Sequence, residues 1–344
     1  MPGGQTVAAP KAQRRRLLVW GGVALVVVVA LVVAAVVFRT VTAAHSANHV
    51  ATPSTTATAP HSATPVATTS TTATPVATTI KVGKYPTGAA SDGTVYVTNA
   101  ADSTVSVIKG DQVTTTITVG TNASAVAVAS DGTVYVTNSG DGTVSVIKND
   151  QVTTTITLGK YPAGAAVASD GTVFVANRDD GTVSVIKNDQ VTTTTITVGK
   201  GPLGAAVASD GTVYVTNYGD ATVSVIKGDH VTTTINVGTG PASAAVASDG
   251  TVYVTNHGDN TVSIIKGDQV TTTINVGKEP SGVVVASDGT VYVTNYGGGT
   301  VSVIKADQVT ATINVGKVPF GAAAASDGTV YVTNAGDGTV SVLR

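Results

Sequence analysis

The chain has 344 residues, of which 12% are charged and none is Cys, and a formal net charge of −2. The missing Cys excludes a disulfide scaffold, a thiolate metal site and a lipid-modified cysteine anchor. Charge is unevenly spread. Residues 76–344 carry 14 basic against 21 acidic residues, a net charge of −7, and this argues against a nucleic-acid partner.

Residues 1–16 are polar and basic, with Lys11, Arg14, Arg15 and Arg16. They predict a cytoplasmic tail. The run "LLVWGGVALVVVVALVVAAVVF" follows, from Leu17 to Phe38, without a charge. A helix of that length is roughly 33 Å long, about the thickness of a bilayer core. The basic residues precede it, so the expected topology is a signal-anchor helix with a cytoplasmic N-terminus and the bulk of the chain outside, at the cell surface or in the periplasm. A cleaved signal peptide is the alternative, with "VTAAHSA" supplying small residues. Residues 39–75 are almost wholly Thr, Ala, Ser, Pro, Val and His. Such a composition buries too little apolar surface to fold and predicts a disordered stalk.

From residue 76 onward the chain repeats. A marker tetrapeptide, "YVTN" in most copies, begins at Tyr96, Tyr135, Phe174, Tyr214, Tyr253, Tyr292 and Tyr331, with five gaps of 39 residues and one of 40. Each unit holds four short β-branched runs, as in "GAAVAS", "TVYVTN", "TVSVIK" and "VTTTINVG", separated by Gly, Asp and Asn. That is the pattern of a four-stranded antiparallel meander, with strands a to d. The last unit stops after strand c, while a spare d-type run, "VATTIKVG", stands before the first strand a. An all-β, seven-bladed propeller over 76–344 accounts for both ends, because the N-terminal strand can complete the last blade and leave no edge. Strand a is rich in Ala and Gly, as the crowded axis of such a ring requires. The 40-residue gap comes from an extra Thr in "VTTTTITV", which predicts a bulge near Thr192–Thr195.

The recurring "DGTVYVTN.GDGTVSVI" resembles the YVTN family of β-propeller repeats over roughly three quarters of the chain. The resemblance implies a bacterial periplasmic or secreted propeller, or a surface-layer-like one, with lactonase-like relatives. It carries over no catalytic residue.

Chemistry needs residues out of register with the repeat, and few qualify. Of 20 Asp and one Glu, nearly all recur at turn positions, where a carboxylate bonds nearby backbone N–H groups. Only Asp179 and Glu279 do not. No turn has the spacing of a calcium loop. Three of the five His lie in the stalk, leaving His230 and His257. No Ser-His-Asp arrangement, metal set or cofactor motif emerges.

The copies differ mainly at one end of the blades, in the b–c and d–a connections. After the marker Asn they read Ala100, Ser139, Arg178, Tyr218, His257, Tyr296 and Ala335. In the d–a loop they read Tyr85, Asn122, Tyr161, Gly201, Gly240, Glu279 and Val318, with Phe320 two residues after the last. Tyr, Arg and His on a rigid scaffold's loops suit recognition. Divergence after duplication, with no function attached, is the competing explanation. The candidate binding residues are therefore Arg178, Tyr218, His257, Tyr296, Tyr85, Tyr161, Glu279 and Phe320. The expected function is a monomeric binding or scaffold module of the cell envelope, contacting a protein or glycan and not acting as an enzyme. A lactonase- or lyase-type enzyme and a purely structural surface-layer role are the alternatives.

Overall fold

A computed structural model describes residues 78–344. The expected tail, membrane helix and stalk lie outside the described residues, among which no helix is long and apolar enough to cross a membrane. Blade four shows the unit. Strand a is Pro202–Val207, b Val213–Asn217, c Thr222–Lys227 and d His230–Asn236, hydrogen-bonded antiparallel in that order. Seven such four-stranded sheets follow one another, and strand a of each neighbours strand a of the next around a closed ring. The last sheet is composite. Thr78–Lys81 pairs with Thr339–Leu343, Thr78 opposite Val342 and Lys81 opposite Thr339. The ring closes with the N-terminal strand, as the chain ends suggest.

Strands b and c read as near-continuous apolar runs because both their faces are covered. Tyr96 packs with Val134 and Val136 of blade two. Its neighbours Val95 and Val97 point the other way, into a cluster with Val340 and Val342 of blade seven. The core is thus a series of apolar layers between blades. At the axis the strands nearly touch. A Cβ on Gly204 would stand 2.8 Å from the Ala242 carbonyl oxygen, and one on Gly282 2.6 Å from that of Phe320. Small residues in strand a are what that approach requires.

Two bulges recur that the repeat does not announce. In strand a, two residues oppose one of strand b: Pro202 faces Asn217 and Ala205 faces Val215, leaving Leu203 and Gly204 against Thr216. The freed Gly204 N–H donates to Thr216 Oγ1 at 2.8 Å, and that hydroxyl donates to the Ala242 carbonyl of blade five at 3.3 Å. The marker Thr therefore caps its own blade's bulge and ties it to the next blade. Thr137 reaches Ala163 at 2.9 Å, Thr255 reaches Ser281 at 2.7 Å, and Thr294 reaches Phe320 at 2.7 Å. Thr333 to Thr87, at 2.9 Å, closes the ring. In blade three the marker reads "FVAN", and the fully buried Ala176 offers no hydroxyl.

The second bulge lies in strand d. Ile226 faces Val231 and Val225 faces Thr233, one extra residue, and the same shift recurs in blades one, two, five and six. In blade three Ile186 faces Val191 but Ser184 faces Thr195, which is two extra residues. The expected bulge at the inserted Thr is present, but as the enlargement of a bulge that blades one, two, four, five and six share.

Asp residues act in three ways. The "SDG" carboxylates fold their own turns, as Asp131 Oδ1 accepts from Thr133 N–H at 2.9 Å. The b–c carboxylates instead hold the d–a loop alongside: Asp180 takes Lys160 N–H and Asp220 takes Lys200 N–H, both at 2.6 Å. Several c–d carboxylates reach back to the preceding blade, as Asp189 meets Lys148 Nζ at 2.7 Å and Asp111 meets Arg344 across the closure.

Ala176→Thr is expected to supply the missing bridge and raise stability by about 1 kcal/mol in urea unfolding. Thr255→Val should cost about 1–3 kcal/mol, because it leaves a buried N–H and a carbonyl unpaired. Equal stabilities for all three proteins would remove the hydroxyl from the account of ring cohesion. Ala306 stands exposed in a c–d turn at φ 47°, followed by Asp307 at φ 58°. Ala306→Gly should raise the melting temperature, since it relieves a left-handed conformation costing roughly 1–2 kcal/mol.

Candidate functional site

The two variable positions are hydrogen-bonded partners. In blade one Ala100 N–H donates to the Tyr85 carbonyl at 3.0 Å. The bond recurs from Ser139 to Asn122, Arg178 to Tyr161, Tyr218 to Gly201, His257 to Gly240, Tyr296 to Glu279 and Ala335 to Val318, all within 2.9–3.1 Å. Each blade thus presents one slot at this end of the ring, served by two side chains. Size is complementary in most slots. Tyr85 and Val318 are paired with the small, buried Ala100 and Ala335, and Tyr218 and His257 with Gly201 and Gly240. The Tyr218 ring itself lies over Gly240 of the next blade, where a Cβ would stand 3.2 Å from it.

The d–a partner is left-handed in every blade. Gly201 and Gly240 have φ of 61° and 63°, a conformation that costs glycine nothing. Tyr85, Asn122, Tyr161, Glu279 and Val318 adopt φ of 53–57° with a full side chain. For the β-branched Val318 this is a pronounced outlier. Side chains held at such a cost are the pattern of a constrained surface, and this weighs against unconstrained divergence.

All eight candidate side chains are half-buried, and the ring brings them together. Tyr218 and His257 have centroids 6.4 Å apart, His257 and Tyr296 6.0 Å, and Tyr296 and Phe320 6.1 Å, with tilted or edge-on planes. Such geometry is favourable for aromatic pairs. The chain of rings runs through blades four to seven. Tyr85, from blade one, lies against it: burial, then the charge and hydroxyl of Tyr296, push its phenol up to about 12. The neighbourhood of Tyr161 acts in the same direction. In blade three the Arg178 guanidinium stands over the Tyr161 ring, 5.3 Å from its centroid, a cation–π contact.

Charge at the mouth is set by Arg178 and Glu279. Burial raises the Tyr218 phenol, Arg178 lowers it and Glu279 raises it, so both charges act on this ring. His257 is lowered by burial, opposed by Glu279 and by the Pro280 carbonyl, to which Nδ1 donates at 3.3 Å. His257 is therefore neutral at pH 7, with Nε2 left to accept a hydrogen bond. A neutral imidazole, a carboxylate, a guanidinium and phenols around one mouth can bind a ligand with both apolar and polar groups.

Sequence reasoning placed these residues on one face but did not show that the variable positions are paired, nor that one of each pair is left-handed. The second fact left a trace, since Gly201 and Gly240 occupy the position in two copies. Asp179, out of register in the sequence, makes only a backbone contact here, its N–H donating to the Lys160 carbonyl at 3.3 Å. His230 lies exposed on the opposite end, beside Asp229 at 3.2 Å. Among the described residues no group of three or more His, Asp or Glu side chains could hold a metal ion.

Solved structures share the fold. Hydrazine synthase of Kuenenia stuttgartiensis is 20% identical with a TM-score of 0.69, over 76% of this chain and 95% of that one. Virginiamycin B lyase from Staphylococcus aureus is 16% identical with a TM-score of 0.71, over 78% and 98%. The WD40 propeller domain of Doa1 is 16% identical with a TM-score of 0.69, over 78% and 96%. At these identities the likeness shows the fold alone. No family model and no curated protein matches the chain, so the YVTN resemblance stands on the repeat itself.

Two titrations follow. Tyr296→Phe should lower the Tyr85 phenol from about 12, because a neighbouring hydroxyl is lost, and a difference absorbance titration against the parent reads the shift. For His257 the folded pKa lies below the unfolded value of about 6.5, so the unfolded chain binds the proton more readily. Its contribution is fully present above that value and lost as pH falls below it. Melting temperature should therefore drop between pH 7 and 5, and His257→Gln should flatten that slope.

Proposed function

We propose that this protein is a membrane-anchored binding module of the cell envelope, which holds its ligand at the mouth built from the seven slots. The observation that carries this is the convergence of Arg178, Tyr218, His257, Tyr296, Tyr85, Tyr161, Glu279 and Phe320 on one end of the ring. Large aromatic side chains with few torsions and an adjacent guanidinium are efficient recognition groups. The uncharged run before the stalk and the YVTN resemblance support an extracytoplasmic setting. The partner is an envelope protein or glycan, and the propeller acts as a monomer.

Purified peptidoglycan is the first probe. Arg178, Tyr218, His257 and Tyr296 changed together to Ala should reduce retention of the full-length protein at least tenfold, and circular dichroism checks that the fold persists. Arg178→Ala and Glu279→Gln separately should each weaken retention without moving the melting temperature by more than a few degrees. Retention unchanged in all three variants would remove the mouth from binding.

A second reading is a lyase-type enzyme. It rests on His257 and Glu279 meeting at the mouth of a fold that virginiamycin B lyase shares, a protein also solved with quinupristin in a catalytically inactive histidine-to-alanine variant. Turnover of quinupristin by this protein, abolished by His257→Ala, would establish the enzyme over the binding module. Absence of turnover alongside peptidoglycan retention would establish the reverse.

A further inference from the structure

The opposite end of the ring carries a cleft that the mouth does not use. It lies between blades three and four, has a volume of about 690 Å³, and is walled by Phe174, Lys187, Thr192, Thr194, Asp210 and Asp229 among others. The residues around it coincide with the departures of blade three from the repeat: Phe in place of Tyr at 174, and the inserted Thr in strand d.

Three other seams show what can fill this place. Between blades two and three, Asp189 of the c–d turn accepts from Tyr135 Oη at 2.9 Å and from Lys148 Nζ at 2.7 Å. Lys109 meets Asp150 at 3.6 Å and Lys266 meets Asp307 at 3.3 Å across two further seams. Between blades three and four each element of that tie is missing. Phe174 has no hydroxyl. Asp229 turns to His230 on its own blade. Lys187 makes no ion pair among the described residues. The Thr bridge is absent as well, because Ala176 replaces the donor. Every other seam has at least the Thr bridge. This one is held by apolar packing, including Phe174, Val185, Val213 and Ile226.

We propose that the cleft between blades three and four binds a basic peptide segment, whose lysine-type side chain lays its aliphatic stem along Phe174 and Val185 and brings its ammonium group to Asp229 and Asp210. The occupant would do for this seam what Lys148 does for the one beside it. Three carboxylates, Asp170, Asp210 and Asp229, line the cleft against the single ammonium of Lys187, so the local balance favours a cation. An aliphatic stem on an apolar wall with a charged head at the rim is the ordinary disposition of a half-buried lysine. A second cleft of about 530 Å³ adjoins it between blades two and three, with Asp170, Thr172 and Lys187 in common. The two together suit an extended segment.

The test uses the full-length protein and trilysine, followed by calorimetry and by amide exchange of strands in blades three and four. Binding should slow exchange at that seam. Phe174→Tyr, which restores the side chain the other six blades carry, and Asp229→Asn should each weaken binding about tenfold. Asp92→Asn, at a turn of blade one, should leave it unchanged. Trilysine failing to bind, or binding equally to the Phe174→Tyr protein, would overturn the proposal, the second by showing only general attraction to an acidic domain. Binding of chitobiose at the same seam without trilysine binding would overturn it in favour of a neutral sugar.

Discussion

One hydroxyl in each of six blades holds the ring to itself. The marker Thr accepts the amide that a bulge in strand a releases and donates its own proton to the carbonyl of the next blade. Neither group could be left unpaired at the axis without a cost of about 1–3 kcal/mol. Cohesion is therefore divided between apolar layers, which are non-directional, and a circle of directed bonds that sets how far one blade turns from the next. The circle is complete at the closure, where Thr333 meets Thr87, and broken at Ala176. The closure, where the first and last described strands meet, is better tied than the seam between blades three and four.

The mouth depends on the same arrangement by way of its backbone. Each slot is set by a bond between two loops and by a b–c carboxylate or amide holding the d–a strand end, as Asp220 holds Lys200 and Asn260 holds Glu279. These bonds use main-chain groups on one or both sides, so the side chain in the slot is free to change while the loop stays in place. Loops with variable side chains on a fixed frame are where binding usually resides. Here the frame also fixes the conformation, left-handed in all seven copies.

Much of the fold was legible. The period, the four runs and the displaced d strand lead directly to seven blades and their closure, because short β-branched runs joined by Gly and Asp have few other solutions. The marker Tyr as packing, and Ala and Gly as axis residues, followed from the same logic. The bulges were not legible, since an extra residue that recurs from copy to copy leaves the period unchanged. Only the inserted Thr in blade three betrayed one. At the candidate site, the face could be read from where the copies differ. The contacts of Tyr85 with Tyr296, or of Arg178 with Tyr161, could not, because they depend on the order of blades around the ring and on distances across its mouth. The pairing of Lys and Asp across seams was hidden for a related reason: each Asp already had a sufficient explanation in its own turn.

The slots have a consequence for the order of the repeats. Since the backbone bond that defines each slot joins a blade's own b–c loop to the d–a loop entering it, exchanging whole blades would conserve all seven of those bonds. Bonds that cross to a neighbour, such as His257 to the Pro280 carbonyl and Asn260 to Glu279, would change with adjacency. With blades four and five exchanged, Tyr218 would sit beside Tyr296 and His257 beside Arg178, so that a ring now flanked by two aromatic neighbours would face a guanidinium. Composition and circular sequence are thus separable variables here, and a gene built by copying one unit can vary the second without inventing anything for the first.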